Sequence, residues 1–139
     1  MVDTEIFSRR LDALAGYLDR LRSLGEVPEP DYLAEPGIHE LAARYLHLVV
    51  EASIDLAIHC IADQGLRTPD SNRDSFTVLE NAGEIDAALA ERMRGWAGFR
   101  SILVHDYIAI DHRIAYAAIR DELGDLVQFR TWALGKLES

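Results

Sequence analysis

Cysteine is almost absent from this chain. Cys60 is the only one among 139 residues, so no intrachain disulfide can form and a disulfide-stapled secreted scaffold is excluded. Proline is scarce and clumped: all four (Pro28, Pro30, Pro36, Pro69) fall in two short regions. The long proline-free segments between and after them are rich in helix formers, and none shows strand-like alternation. Uninterrupted apolar runs are also missing. No stretch of about 18 uncharged apolar residues occurs, so no transmembrane helix is expected. The opening "MVDTEIFSRRLDAL" lacks a basic segment followed by an apolar one, so no signal peptide is expected and a cytoplasmic location is the default. Positive charge is in deficit. Fourteen Lys and Arg face 24 Asp and Glu, a net charge of −10. That excludes broad, nonspecific binding to nucleic acid, which needs a basic surface.

What is present is hydrophobic mass, 49% of residues, enough for a core in one domain spanning 1–139. Phe7, Leu11, Leu14, Leu18 and Leu21 recur at spacings of four and three and predict a helix over about Thr4 to Leu24 with one apolar stripe. Gly25 should end it, and "EVPEPDYLAEPG" reads as a loop. A second helix over about His39 to Asp63 is apolar on much of its circumference. It must be central, or covered by both the bundle and a partner subunit. Gly65 caps it, a loop follows, and a short helix covers "SFTVLENA" up to Gly83. The next helix starts near Ile85 and carries Leu89, Met93 and Trp96. Asp111 is a suitable N-cap for a last helix over about His112 to Leu134. The fold class is all-α: an antiparallel four-helix bundle with an additional short helix.

Between these elements lies "RSILVHDY", residues 100–107. It places a permanent cation (Arg100), a group that titrates near neutrality (His105) and a phenol (Tyr107) within one short span. Residues 91–113 hold four arginines against three acids, so a locally neutral-to-basic site sits on an acidic body. Cleavage of RNA by its own 2′-OH needs a base, an acid and a cation for the charge that builds on phosphate. His and Arg can supply these without a metal. On a regular helix, however, Arg100 and His105 lie about 140° apart. A composite site, shared between two copies of the chain, therefore fits better than a monomeric one. Packing residues with incidental polar tips are the plain alternative.

Other polar residues are less specific. His47, Glu51, Asp55 and His59 recur every four residues along the second helix. A di-metal site would need Glu-x-x-His pairs on further helices, which are missing, so no metal is expected. Glu51 or Asp55 could orient Arg100, and a solvated edge accounts for the two histidines. Cys60 reads as a small buried hydrophobe, and Trp96 and Trp132 as core or interface. His112 and Arg113 could extend a phosphate site or be ordinary first-turn residues.

Arg100, four residues, His105, one residue, Tyr107 matches the R-x4-H-x-Y motif, and the chain resembles the HepT-like toxins, a branch of the HEPN-fold ribonucleases. "RYLHLVVEASIDLAIHCIADQGLRTPDS" (44–71) is similar to that family's second helix and loop, and "LAERMRGWAGFRSILVHDYIAID" (89–111) to its motif helix and exit. The resemblance implies a HEPN fold, a metal-independent RNA-cleaving toxin without a cofactor, and a homodimer. It also implies neutralisation by a nucleotidyltransferase antitoxin of the MntA type. Arg100 and His105 match the catalytic pair, and Tyr107 the tyrosine that receives AMP. Ser101 stands where many members have Asn. Ser101, Asp106, Glu51 and Asp55 are candidate supporting residues. The alternative is a noncatalytic helical partner, or nucleotide-sensing subunit, of a nucleotidyltransferase.

Overall fold

The structure, a computed structural model, describes residues 4–105 and 110–138, with the backbone alone for Val104, His105 and Glu138. Among the described residues it is all-α. In chain order the helices are α1 (Thr4–Gly25), α2 (Glu29–Ala34), α3 (Pro36–Asp63), α4 (Asn72–Asn81), α5 (Ala87–His105), α6 (His112–Asp121) and α7 (Leu123–Glu138).

The apolar stripe expected on α1 is the stripe that is buried: Phe7, Leu11, Leu14, Leu18 and Leu21, extended by Gly25. It lies chiefly along α3, which packs against every other described helix. This central position explains why α3 is apolar nearly all round. Its most apolar 18-residue window has a mean hydropathy of 1.4, long and apolar enough for a membrane span. Yet 56% of that window is buried within the bundle, as in the core helix of a globular domain. Leu41 and Ile58 are the large apolar residues of α3 left exposed.

Helix ends follow local chemistry. Gly65 and Gly83 take positive φ (64° and 75°), where side chains with a Cβ are strained. At the first, Leu66 N–H donates to Ile61 O and Gly65 N–H to Ala62 O. At the second, Glu84 N–H donates to Leu79 O and Gly83 N–H to Glu80 O. Both are Schellman closures that satisfy the last carbonyls of α3 and α4. Ser71 Oγ accepts from Asp74 N–H to start α4, three residues earlier than the apolar pattern indicated. Asp86 Oδ1 accepts from Leu89 N–H at 2.7 Å to start α5. Asp111 caps α6 as expected, accepting from Arg113 N–H at 3.0 Å.

Two expectations are corrected. The segment read as the loop "EVPEPDYLAEPG" contains α2, and α3 begins at Pro36. Proline suits the first turn of a helix, where its missing N–H costs nothing. The reason α2 forms is tertiary: Tyr32 is fully buried, its ring 4.7 Å from that of Tyr116. Tyr116 OH in turn donates to Val27 O at 2.6 Å. The last helix is not continuous either. It breaks at Glu122 into α6 and α7, where Asp121, Glu122 and Asp125 favour a new helix N-terminus and Gly124 weakens continuity. The break lets α6 lie on α1 and α2 while α7 follows α1, α3 and α5. At the α6–α1 contact, a Cβ on Gly25 would stand 2.9 Å from Ile119 Cγ2, so glycine is needed for this close approach.

Candidate active site

Arg100 sits on the penultimate turn of α5, and α5 continues as helix through His105. The helical spacing therefore holds: backbone positions 100 and 105 lie about 140° apart around the helix axis. Asp106 and Tyr107 lie outside the described residues, as does the side chain of His105. Of the motif's span, Arg100, Ser101, Ile102 and Leu103 are described in full. Ser101 is exposed.

Arg100 turns toward α3. Its Nε donates to Glu51 Oε2 at 2.8 Å, with the arginine side chain only 20% exposed. Of the two acids named as candidates to orient it, Glu51 makes the contact. Asp55, one turn further along α3, pairs instead with Arg10 Nε of α1 at 3.5 Å. His47 Nε2 approaches Glu51 Oε2 at 3.7 Å, and the His59 ring lies against Phe7 with centroids 6.4 Å apart. The polar stripe of α3 is thus a row of contacts to α1 and α5. Among the described residues no three His, Cys, Asp or Glu side chains converge as a metal site would require.

The electrostatics of the row are mixed. Burial raises the Asp55 pKa, opposed most strongly by Arg10; Glu51 raises it further, while His59 and Arg100 lower it. Asp55 therefore senses Arg10, His59 and Arg100. The arginines of the neutral-to-basic stretch 91–113 do not gather at Arg100. Arg92 is held by Asp125 at 2.8 Å on α7, Arg94 by Glu80 at 2.8 Å on α4, and Arg113 lies 3.5 Å from Asp111. Those arginines tie helices together or sit at the α6 cap.

His112 and Arg113 are first-turn residues of α6. The His112 ring lies over that of His39 on α3, with centroids 4.0 Å apart. Burial first, and His39 second, lower its pKa. Cys60 is buried, and burial pushes its thiol up to about 12, far from a reactive thiolate. Trp96 is core and donates from Nε1 to Asp125 Oδ2 at 3.4 Å.

The sequence profile of the family described as Ribonuclease HepT-like matches residues 14–131. The chain belongs to that family. HepT-like relatives agree in name and in shape. Over 79 residues the chain is 38% identical to the mRNA nuclease HepT of Shewanella oneidensis, a match covering 57% of this chain and 59% of the relative. The match therefore spans under two thirds of that relative's length. The tRNA nuclease HepT of Aphanizomenon flos-aquae is 27% identical over 118 residues, 85% of this chain and 80% of the relative. A solved structure of the tri-AMPylated Shewanella oneidensis HEPN toxin in complex with MNT antitoxin superposes with a TM-score of 0.87. It is 25% identical and covers 97% of this chain and 99% of that one.

For a HepT-like chain the reading of "RSILVHDY" needed the motif, but two contacts of the row needed the fold. The choice of Glu51 over Asp55 depends on the axial offset of α5 against α3. Arg10 gave one faint signal: it flanks the apolar stripe of α1, directly before Leu11, where a long side chain reaches the edge of the buried face.

Proposed function

We propose that this protein is a metal-independent endoribonuclease toxin that acts in the cytoplasm as a homodimer. Arg100 and His105 are its catalytic pair. The observation that carries the reading is the Arg100 guanidinium, fixed by Glu51 through Nε on the same helix as His105, in a HepT-like chain. With Nε engaged, the two terminal nitrogens remain to fork onto phosphate oxygens. His105 takes the proton of the ribose 2′-OH as that oxygen attacks phosphorus. Arg100 holds the charge that builds on the nonbridging oxygens, and a second His105 protonates the departing 5′-oxygen.

The second histidine belongs to a second copy of the chain. One helix cannot turn Arg100 and His105 to the same side, whereas two motif helices facing each other can. The motif helix also leaves apolar surface for a partner. Ile102 of α5 is 44% exposed and Ile114 of α6 is 62% exposed, and with Trp96 and Phe99 they line a groove of about 470 Å³. A second copy is the occupant consistent with the motif's geometry.

A neighbouring structure supports a regulatory reading. The Shewanella oneidensis toxin is AMPylated and bound to MNT antitoxin. We assign the matching modification here to Tyr107, carried out by a nucleotidyltransferase of the MntA type.

The test is cleavage of RNA in EDTA. The unmodified protein should cut and leave a 2′,3′-cyclic phosphate, and Arg100→Ala and His105→Ala should each abolish cutting while circular dichroism stays helical. Full activity in His105→Ala would remove that residue from the chemistry.

A further inference from the structure

Arg10 is a second cation on the row that holds Arg100, and the proposed chemistry at one phosphate does not use it. Both arginines face an acid of α3, Arg100 in a hydrogen bond at 2.8 Å and Arg10 in a looser ion pair at 3.5 Å. Arg100 offers Nε to Glu51 and Arg10 offers Nε to Asp55, and among the described residues neither guanidinium has another hydrogen-bond or ion-pair partner. Glu51 and Asp55 are separated by one turn of α3, a rise of about 6 Å. That is the scale on which successive phosphates follow one another along a nucleic-acid strand. The Arg10 side chain is 46% exposed, so solvent and ligand reach it. The chain carries a net charge of −10, and the other arginines of α5 are held by Asp125 and Glu80. Backbone grip must therefore come from few, placed cations rather than a basic surface.

We infer that Arg10 of α1 binds the RNA phosphate adjacent to the one held by Arg100, making the α1–α3–α5 edge a two-phosphate track. Asp55 positions Arg10 as Glu51 positions Arg100. Arg10 and Arg100 both act to lower the Asp55 carboxyl pKa against the effect of burial. The inference rests on the ribonuclease reading above. It adds a contact that sets the length of RNA the site grips and the register of the strand across it.

The probe is a short synthetic RNA spanning a linkage cut in the EDTA assay, with 2′-O-methyl groups blocking every other linkage. A neutral methylphosphonate replaces the first phosphate on one side of that linkage, then on the other. On the all-phosphate strand, Arg10→Gln should lower kcat/KM about fivefold, the effect of losing one partly exposed charge contact, mostly through KM. On one side, the methylphosphonate should cost the wild type a similar factor and cost Arg10→Gln nothing more. The slope of log affinity against log salt should become shallower by about 0.7 in the variant, one phosphate contact on a single strand. Arg10→Lys should recover part of the loss, which a misfolded variant would not allow. Independent, multiplying losses from the variant and both methylphosphonates would overturn the inference, as would an unchanged salt slope. A wild-type protein that cuts no RNA would instead overturn the ribonuclease reading on which it rests.

Discussion

Arg100 and Glu51 are 49 residues apart in sequence and 2.8 Å apart in space, an ion pair that joins α5 to α3. It leaves the arginine mostly covered and aimed by a carboxylate at its Nε edge. An arginine that must meet a pentacoordinate phosphorus gains from such aiming, because a guanidinium already in place need not be ordered during the reaction.

Glu51 should therefore act through Arg100 without touching RNA. Glu51→Gln keeps the shape and removes the charge. It should lower kcat about tenfold, about 1.4 kcal/mol of transition-state stabilisation, with little change in KM. Glu51→Asp should restore part of the rate. A variant whose whole loss lies in KM would place Glu51 in binding instead.

The angular separation of Arg100 and His105 gives a test of sharing. Arg100→Ala and His105→Ala proteins, each inactive alone, should regain weak activity when mixed and allowed to exchange subunits, because a heterodimer sets the Arg100 of one copy against the His105 of the other while lacking the second His105 as acid. Ile102→Asp should lower both dimer content in light scattering and activity. A wild-type monomer at micromolar concentration would sink the shared site.

The proposed chemistry gives Tyr107 no part in proton transfer or charge neutralisation, so its proposed use is regulatory. Each AMP attached there would add a phosphate charge and a base seven residues along the chain from Arg100, and Arg100 would pair with that phosphate as the proposed chemistry has it pair with RNA. Co-expression with the cognate nucleotidyltransferase should raise the mass by whole AMP units. Peptide mapping should place them on Tyr107, and RNase activity should fall. Tyr107→Phe should keep much of the activity and escape neutralisation. AMP found on Tyr116 or Tyr45, with neutralisation intact, would show that Tyr107 has the wrong role.

His112, its ring tilted against that of His39, makes stability depend on pH. Both Nδ1 atoms are buried without a hydrogen-bond partner among the described residues. The folded pKa of His112 lies below its ordinary value, so below about pH 6.5 the unfolded chain binds more protons than the folded one. The His112 contribution is therefore whole above that pH and is lost as pH falls through the depressed folded pKa. His112→Phe keeps a ring on His39 and removes this titration. Its Tm should decline less than that of the wild type between about pH 6.5 and pH 5. Parallel profiles would remove His112 from the acid response.

The sequence by itself determined the helical class, the stripe of α1, the nearly all-round apolar character of α3, the glycine stops at Gly65 and Gly83 and the cap at Asp111. These depend on periodicity and local backbone chemistry, which act over a few residues. It also displayed the R-x4-H-x-Y spacing and, through helical geometry, the divergence of Arg100 from His105. Only the tertiary structure decided the rest. The short helix α2 inside an apparent loop exists because Tyr32 finds a pocket beside Tyr116. The break at Glu122 follows from α6 and α7 packing on different neighbours. The choice between Glu51 and Asp55, the diversion of Arg92 and Arg94 to α7 and α4, and the place of Arg10 beside Asp55 all depend on how far one helix slides along another. That offset is set by the fit of side chains across the whole core, so it cannot be read from the residues of either helix alone.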